Sequence, residues 1–168
     1  MRPSFDRVIL LVRHCHAGAK GRNADKDRLR PLTKLGLAEA DALAQVLLPY
    51  APQRILSSPL ARCLQTVAPT ARALDLEVEQ SEQLGPLAGK SAVTLIRKIS
   101  SVEQGGVMLR TLICTHGEVI SEIQGQYKGS ASAGFGPDSP REKSSVWVLE
   151  TSNRRIISAT YLPPPRLG

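Results

Sequence analysis

Aromatic residues are scarce in this chain: two Phe, three Tyr and one Trp among 168 residues. So few rings cannot build a base-stacking surface, and no nucleic-acid-binding motif stands in the sequence. Cysteine is also sparse. Cys15, Cys63 and Cys114 are too few for a disulfide framework. With His14, His16 and His116 they form no zinc-binding spacing. No apolar run approaches the length of a membrane span. The stretch Met1-Arg2-Pro3-Ser4-Phe5-Asp6-Arg7 carries an acid and lacks a small-residue cleavage site, which argues against a secretory leader. These gaps lead to the following expectations: reduced thiols, no metal, no cofactor, no membrane contact, no nucleic-acid partner and a cytoplasmic location.

What is present fits one globular domain over 1–168, with a proline-rich tail at 163–168. Hydrophobic residues make up 42% of the chain, enough for a sizeable core. The formal net charge is +7. With nucleic acid set aside, that balance suits phosphorylated partners, either a small molecule or a phosphoprotein.

The stretch Val8 to Val12 is a run of branched apolar residues, which predicts a buried strand over about 7–12. It ends in Arg13-His14, so the charged pair is delivered to a sheet edge, where open α/β sheets bind ligands. A polar, basic loop follows to about Pro31. Leu35, Ala38, Ala42, Leu43, Val46 and Leu47 recur at helical spacing behind a Thr33 N-cap, and Pro49 stops that helix. Arg54 to Ser57 reads as a second strand. Ser58-Pro59 reads as a helix start, with Ser58 as the cap and Pro69 shortening or kinking the helix. Leu76 to Val78 is a candidate third strand, and Gln80 to Lys90 a loop. A helix is expected over about 91–103, ended by Gly105-Gly106. Val107 to Thr115 is a further strand, and His116-Gly117 leads into another helix. Residues 125–144 read as a mobile surface loop. Ser145 to Glu150 and Arg154 to Leu162 suggest an antiparallel pair at one edge.

Arg13, His14, Arg62 and His116 could act together on one anion. Two guanidinium forks match phosphoryl oxygens, and a helix N-terminus beside Arg62 adds donors. A neutral imidazole at His14 can attack phosphorus, with neighbouring positive charge keeping its lone pair free. His116 would bind the phosphoryl oxygens and stabilise the transition state. The arginines do the neutralising, so no metal is required. Taken singly, Arg62 also reads as a solvated helix residue and His116 as an ordinary loop histidine. Lys20, Arg22 and Arg30 either widen the basic field or are simply solvated. Cys15 lies beside the nucleophile candidate, so its oxidation is expected to inhibit.

At these residues the sequence resembles the histidine phosphatase superfamily, also called phosphoglycerate mutase-like. The resemblance rests on Leu11-Val12-Arg13-His14, on Arg30-Pro31-Leu32-Thr33 with Gly36, on Ser57 to Arg62 with Gln65-Thr66, and on Thr115-His116-Gly117. It covers roughly the first 120 residues. It implies a three-layer α/β fold with a mostly parallel sheet. It also implies a phosphorylated nucleophile at His14, and Arg13, Arg62 and His116 completing a pocket that phosphate or sulfate could occupy. The short chain is most similar to bacterial phosphohistidine phosphatases and to the phosphatase-like domain attached to some actinobacterial Nudix hydrolases. Two positions depart from the pattern. Cys15 stands where many members have Gly. The proton-donating Glu of many members has only Glu82 as a candidate, in surroundings that do not match; a solvated loop carboxylate is the competing reading. The implied activity is hydrolysis of phosphate monoesters or phosphoramidates. The alternatives are a phosphate-binding module with little turnover and a phosphoglycerate-type mutase.

Overall fold

In chain order the elements are β1 (Arg7–Arg13), α1 (Ala24–Leu29), α2 (Lys34–Leu47), β2 (Arg54–Ser57), α3 (Ala61–Leu74), β3 (Val78–Gln80), α4 (Gly89–Ile99), β4 (Leu109–Thr115), α5 (Gly117–Gln126), β5 (Val146–Ser152) and β6 (Arg155–Leu162). The computed structural model describes residues 7–100, 109–127 and 134–168. Its six strands form one sheet in the order β3-β2-β4-β1-β5-β6. The first four of these run parallel, whereas β5 is antiparallel to β1, and β6 to β5. The expected three-layer, mostly parallel architecture with an antiparallel edge pair is present.

The two-residue period of β1 divides the core. Val8, Leu10 and Val12 pack on one face with Leu43 and Leu47 of α2 and Val67 and Ala71 of α3. Ile9 and Leu11 pack on the other with Ile96 of α4 and Ile120 and Ile123 of α5. None of the five β1 residues is more than 7% exposed. Each such side chain is worth about 1.5–3 kcal/mol on burial, so this strand anchors both layers.

Several local expectations change. The loop before Pro31 contains α1, a helix with no apolar periodicity to betray it. It is held instead by Asn23, whose Oδ1 accepts from the Lys26 N–H at 2.9 Å, and by the buried Asp27. Ser58 does not cap α3. Leu60 occupies that position with no side-chain cap, and the helix runs through Pro69 to Leu74. β3 lies two residues later than expected, pairing Ile55 with Val78. The Gln80–Lys90 loop contains a single 3-10 turn at Glu82–Leu84, and α4 already begins at Gly89. α4 ends at Ile99 with Ser100 as its C-cap, short of the expected Glu103, whereas the Gly105-Gly106 stop and the first residues of the strand from Val107 lie outside the described residues. So does the middle of the 125–144 loop. The rest of that loop is packed: Phe135 is 3% exposed, and the Pro140 carbonyl accepts from Trp147 Nε1 at 2.8 Å. The β5–β6 turn places Asn153 and Arg154 at positive φ (49° and 66°), the geometry of a tight hairpin whose twist matches its strands.

Candidate active site

Register brings the site together. Arg13 of β1 pairs with Thr115 of β4, and Ser57 of β2 pairs with Cys114. His14, His116 and Ser58 therefore leave three adjacent strands at one level, at their carboxyl ends. The His14 N–H bonds the Thr115 carbonyl at 3.1 Å, and the Ser58 N–H bonds the Cys114 carbonyl at 3.0 Å. The rings of His14 and His116 then meet edge to face, with centroids 5.4 Å apart.

His14 is 5% exposed, and its Nδ1 lies 2.7 Å from the Cys15 carbonyl. A carbonyl can only accept, so Nδ1 carries the proton and Nε2 keeps a free lone pair. Burial first, and then the charges of Arg62, Arg13 and Arg30, push the imidazole down to about 3, against the opposing pull of the Cys15 hydrogen bond. His116 is held down to about 3 in the same way, by burial and then by Arg62. Its Nδ1 faces the Arg62 guanidinium at 3.4 Å. Since Arg can only donate, Nε2 carries the proton, and it meets Ser58 Oγ at 2.8 Å.

Arg62, in the first turn of α3, is 3% exposed. Its Nη1 bonds the Asp27 carbonyl at 2.9 Å and its Nη2 the Asp27 carboxylate at 3.2 Å. That carboxylate also accepts from Arg30 Nε at 3.0 Å and from the Gly21 N–H at 3.1 Å. Burial alone would raise the Asp27 carboxyl; the Gly21 N–H and the two arginines outweigh it and hold it below the usual range. Thr66 secures the same region: its Oγ1 accepts from the Cys15 N–H at 2.9 Å and donates to the Arg62 carbonyl at 2.7 Å.

Arg13 lies across the start of α5. Its Nη1 donates to the Arg141 carbonyl at 2.9 Å. A Cβ on Gly117 would fall 2.8 Å from the Arg13 Cζ, so only glycine allows this placement. Gly36 is constrained more severely, because the His16 carbonyl occupies the place a Cβ would take. Among the described residues, the buried Nε of Arg13 and that of Arg62 have no acceptor.

The four expected residues line one cleft of about 830 Å³, together with Lys20, Arg22, Arg28, Arg30, Glu82 and Lys143. Glu82 is on that wall, but exposed and ion-paired to Arg28 at 2.5 Å, which pulls its carboxyl down. His16 is not part of the wall; its Nδ1 meets Thr33 Oγ1 at 2.7 Å and ties the loop to α2. All three cysteines are free and buried. Burial pushes the Cys15 thiol up to about 11, which disfavours the reactive thiolate and argues against ready oxidation. Among the described residues, no group of three or more His, Cys, Asp or Glu is placed to hold a metal ion.

Residues 9–89 match the profile of the histidine phosphatase superfamily, branch 1. The chain also aligns over 168 residues, at 32% identity, with an 8-oxo-(d)GTP phosphatase of Mycolicibacterium smegmatis. Residues 9–89 belong to the histidine phosphatase superfamily. The alignment takes in 98% of the chain and 50% of the relative, so the chain spans about half the length of that protein. The fold is also that of the protein histidine phosphatase SixA solved with tungstate, with a TM-score of 0.69 and 20% identity over 92% of this chain and 94% of that one. A candidate SixA from Agrobacterium tumefaciens gives a TM-score of 0.71 at 25% identity, covering 95% of this chain and 100% of that one. No helix among the described residues is long and apolar enough to cross a membrane.

Two contacts of the candidate site lie beyond what the sequence indicates. Ser58, expected as a helix cap, instead partners His116. Asp27 had no reading of its own, yet it joins Arg62 to Arg30. Its signal was available only as an Asp three residues before Arg30, in a segment without periodicity.

Proposed function

We propose that the chain is a phosphatase domain that hydrolyses phosphate monoesters or phosphoramidates through a phosphohistidine on His14. The observation that carries the reading is the Nδ1–H bond from His14 to the Cys15 carbonyl, which leaves Nε2 as a free nucleophile in a cleft shared with Arg13, Arg62 and His116. Nε2 attacks phosphorus and the bond to the leaving group breaks. Water then attacks the phosphohistidine, the P–N bond breaks, and phosphate departs. Arg13 and Arg62, both on the cleft wall, bind the phosphoryl oxygens through their guanidinium donors. The arriving negative charge favours the imidazolium of His116, which then donates to the phosphoryl group. The arginines neutralise the anion, so the scheme uses no metal.

Glu82 is a poor proton donor in this scheme, because Arg28 holds it ionised. Substrates that leave well without a strong acid are therefore favoured: phosphohistidine, and phosphoanhydrides of the kind named for the mycobacterial relative. The buried free thiols suit a reducing, cytoplasmic compartment.

The test is phosphate release from p-nitrophenyl phosphate and from a phosphohistidine peptide, alongside acid-labile labelling of the protein. His14→Ala is expected to lose about a thousandfold or more in kcat/KM and all labelling. Labelling that persists in His14→Ala would refute the assignment. Tight phosphate binding without turnover would favour the regulatory-module alternative.

A further inference from the structure

The charge lining the cleft exceeds what a single phosphoryl group needs. Among the described residues seven cationic side chains and four carboxylates line it, an excess of three positive charges with both histidines neutral. A phosphoryl dianion offsets two. Arg28 is matched by Glu82, Arg30 and Arg62 share Asp27, and Glu118 acts on Arg13. Lys20, Arg22 and Lys143 stand on the wall with no ion pair or side-chain hydrogen bond among the described residues. Building on the phosphatase reading above, we infer that the cleft takes oligophosphates: the scissile phosphoryl sits against His14, and Lys20, Arg22 and Lys143 receive the phosphates of the leaving group.

Leaving-group chemistry points the same way independently. An alkoxide must be protonated as it departs, and Glu82, the candidate acid on the wall, is committed to Arg28. A phosphate leaving group needs no such donor, since its second ionisation falls near pH 6. When His14 Nε2 bonds to the terminal phosphorus, the bond from phosphorus to the bridging oxygen breaks. The electron pair stays on that oxygen, which is now a terminal oxygen of the shortened chain, beside the free cations. Water then releases the terminal phosphate from His14.

The wall also says what is not read. Among the described residues no Phe, Tyr or Trp lines the cleft, and its two imidazoles belong to the phosphoryl site, so no ring is left on which a nucleobase can stack. Selection therefore falls on the phosphate chain rather than on the base.

The experiment compares KM for inorganic tripolyphosphate with KM for p-nitrophenyl phosphate. The wild-type ratio is expected to favour tripolyphosphate about tenfold, and Lys20→Ala with Arg22→Ala to bring it near one. Raising salt should erode the preference in the wild type more than in the double variant. ATP, GTP and CTP should agree within about threefold, because no ring stacks on the base. Equal KM values in the wild type, a ratio untouched by the double substitution, or a preference for an acidic phosphopeptide overturns the inference while leaving the phosphatase reading intact. If neither substrate turns over, the phosphatase reading has failed. Calorimetry on His14→Ala then decides the subsite: tripolyphosphate binding more tightly than orthophosphate supports it, and equal affinities overturn it.

Discussion

Asp27 offers the sharpest test of how the pocket is held. Its side chain is 10% exposed, and that of Arg62 is 4% exposed. At 3.2 Å the gross attraction is about 5 kcal/mol for an effective dielectric near 20. Removing one partner of a buried pair costs about 3–5 kcal/mol, mostly from the charge left unpaired. Arg62 keeps its bond to the Asp27 main-chain carbonyl at 2.9 Å, so Asp27→Ala should fall at the lower end, about 3 kcal/mol. For a chain of this size that lowers Tm by about 6–12 °C. Asp27→Asn keeps the shape and some hydrogen bonding, and should cost about 1–2 kcal/mol. Both variants free the guanidinium tips of Arg62 and Arg30, so kcat for p-nitrophenyl phosphate should drop about 10–100-fold as the oxyanion donors lose their aim. KM should fall or stay level, because a negative charge beside the phosphate has been removed. Melting curves and steady-state kinetics on Asp27→Asn provide the assay. Tm within 1 °C and kcat within about twofold of wild type would refute the positioning role, since neither effect can vanish if the carboxylate holds both arginines.

Two further outcomes follow from the same geometry. Gly117→Ala should lower kcat/KM by about tenfold or more with little change in Tm, because the new Cβ displaces the Arg13 guanidinium while alanine favours the helix; unchanged kinetics would remove Arg13 from the pocket. His14 and His116 stay neutral when folded but take up protons near 6.5 when unfolded, so their contribution is fully present above that pH and is lost as pH falls toward about 3. Urea unfolding between pH 7 and 5 should show a loss of up to about 1.4 kcal/mol per pH unit for each histidine, and an unaltered slope in His116→Asn would contradict it.

The order of strands and helices was readable where burial imposes a period. Val8 to Val12 alternate between two helix layers, and Leu43, Val46 and Leu47 recur along a helix, so both patterns survive as one-dimensional signals. α1 was missed because its six residues carry no such pattern. β3 slid by two residues because, at three residues long and half exposed, it has almost no alternation to register. Pro69 misled for another reason. A missing N–H is only one hydrogen bond in a helix whose buried face, Cys63, Thr66, Val67 and Thr70, is fixed by the sheet beneath it.

The sequence by itself determined the chemistry on offer: a charged pair at the end of a buried strand, a second arginine, a second histidine, and the family to which that set belongs. Tertiary structure alone decided the partners. It joined Asp27 to Arg62 and Arg30, turned Ser58 from a helix cap into the partner of His116, and committed Glu82 to Arg28. Strand and helix patterns are written by each element's own burial, which nearby residues report. The pairing of polar side chains depends on how loops far apart in the chain approach one another, and nothing periodic in those loops records it.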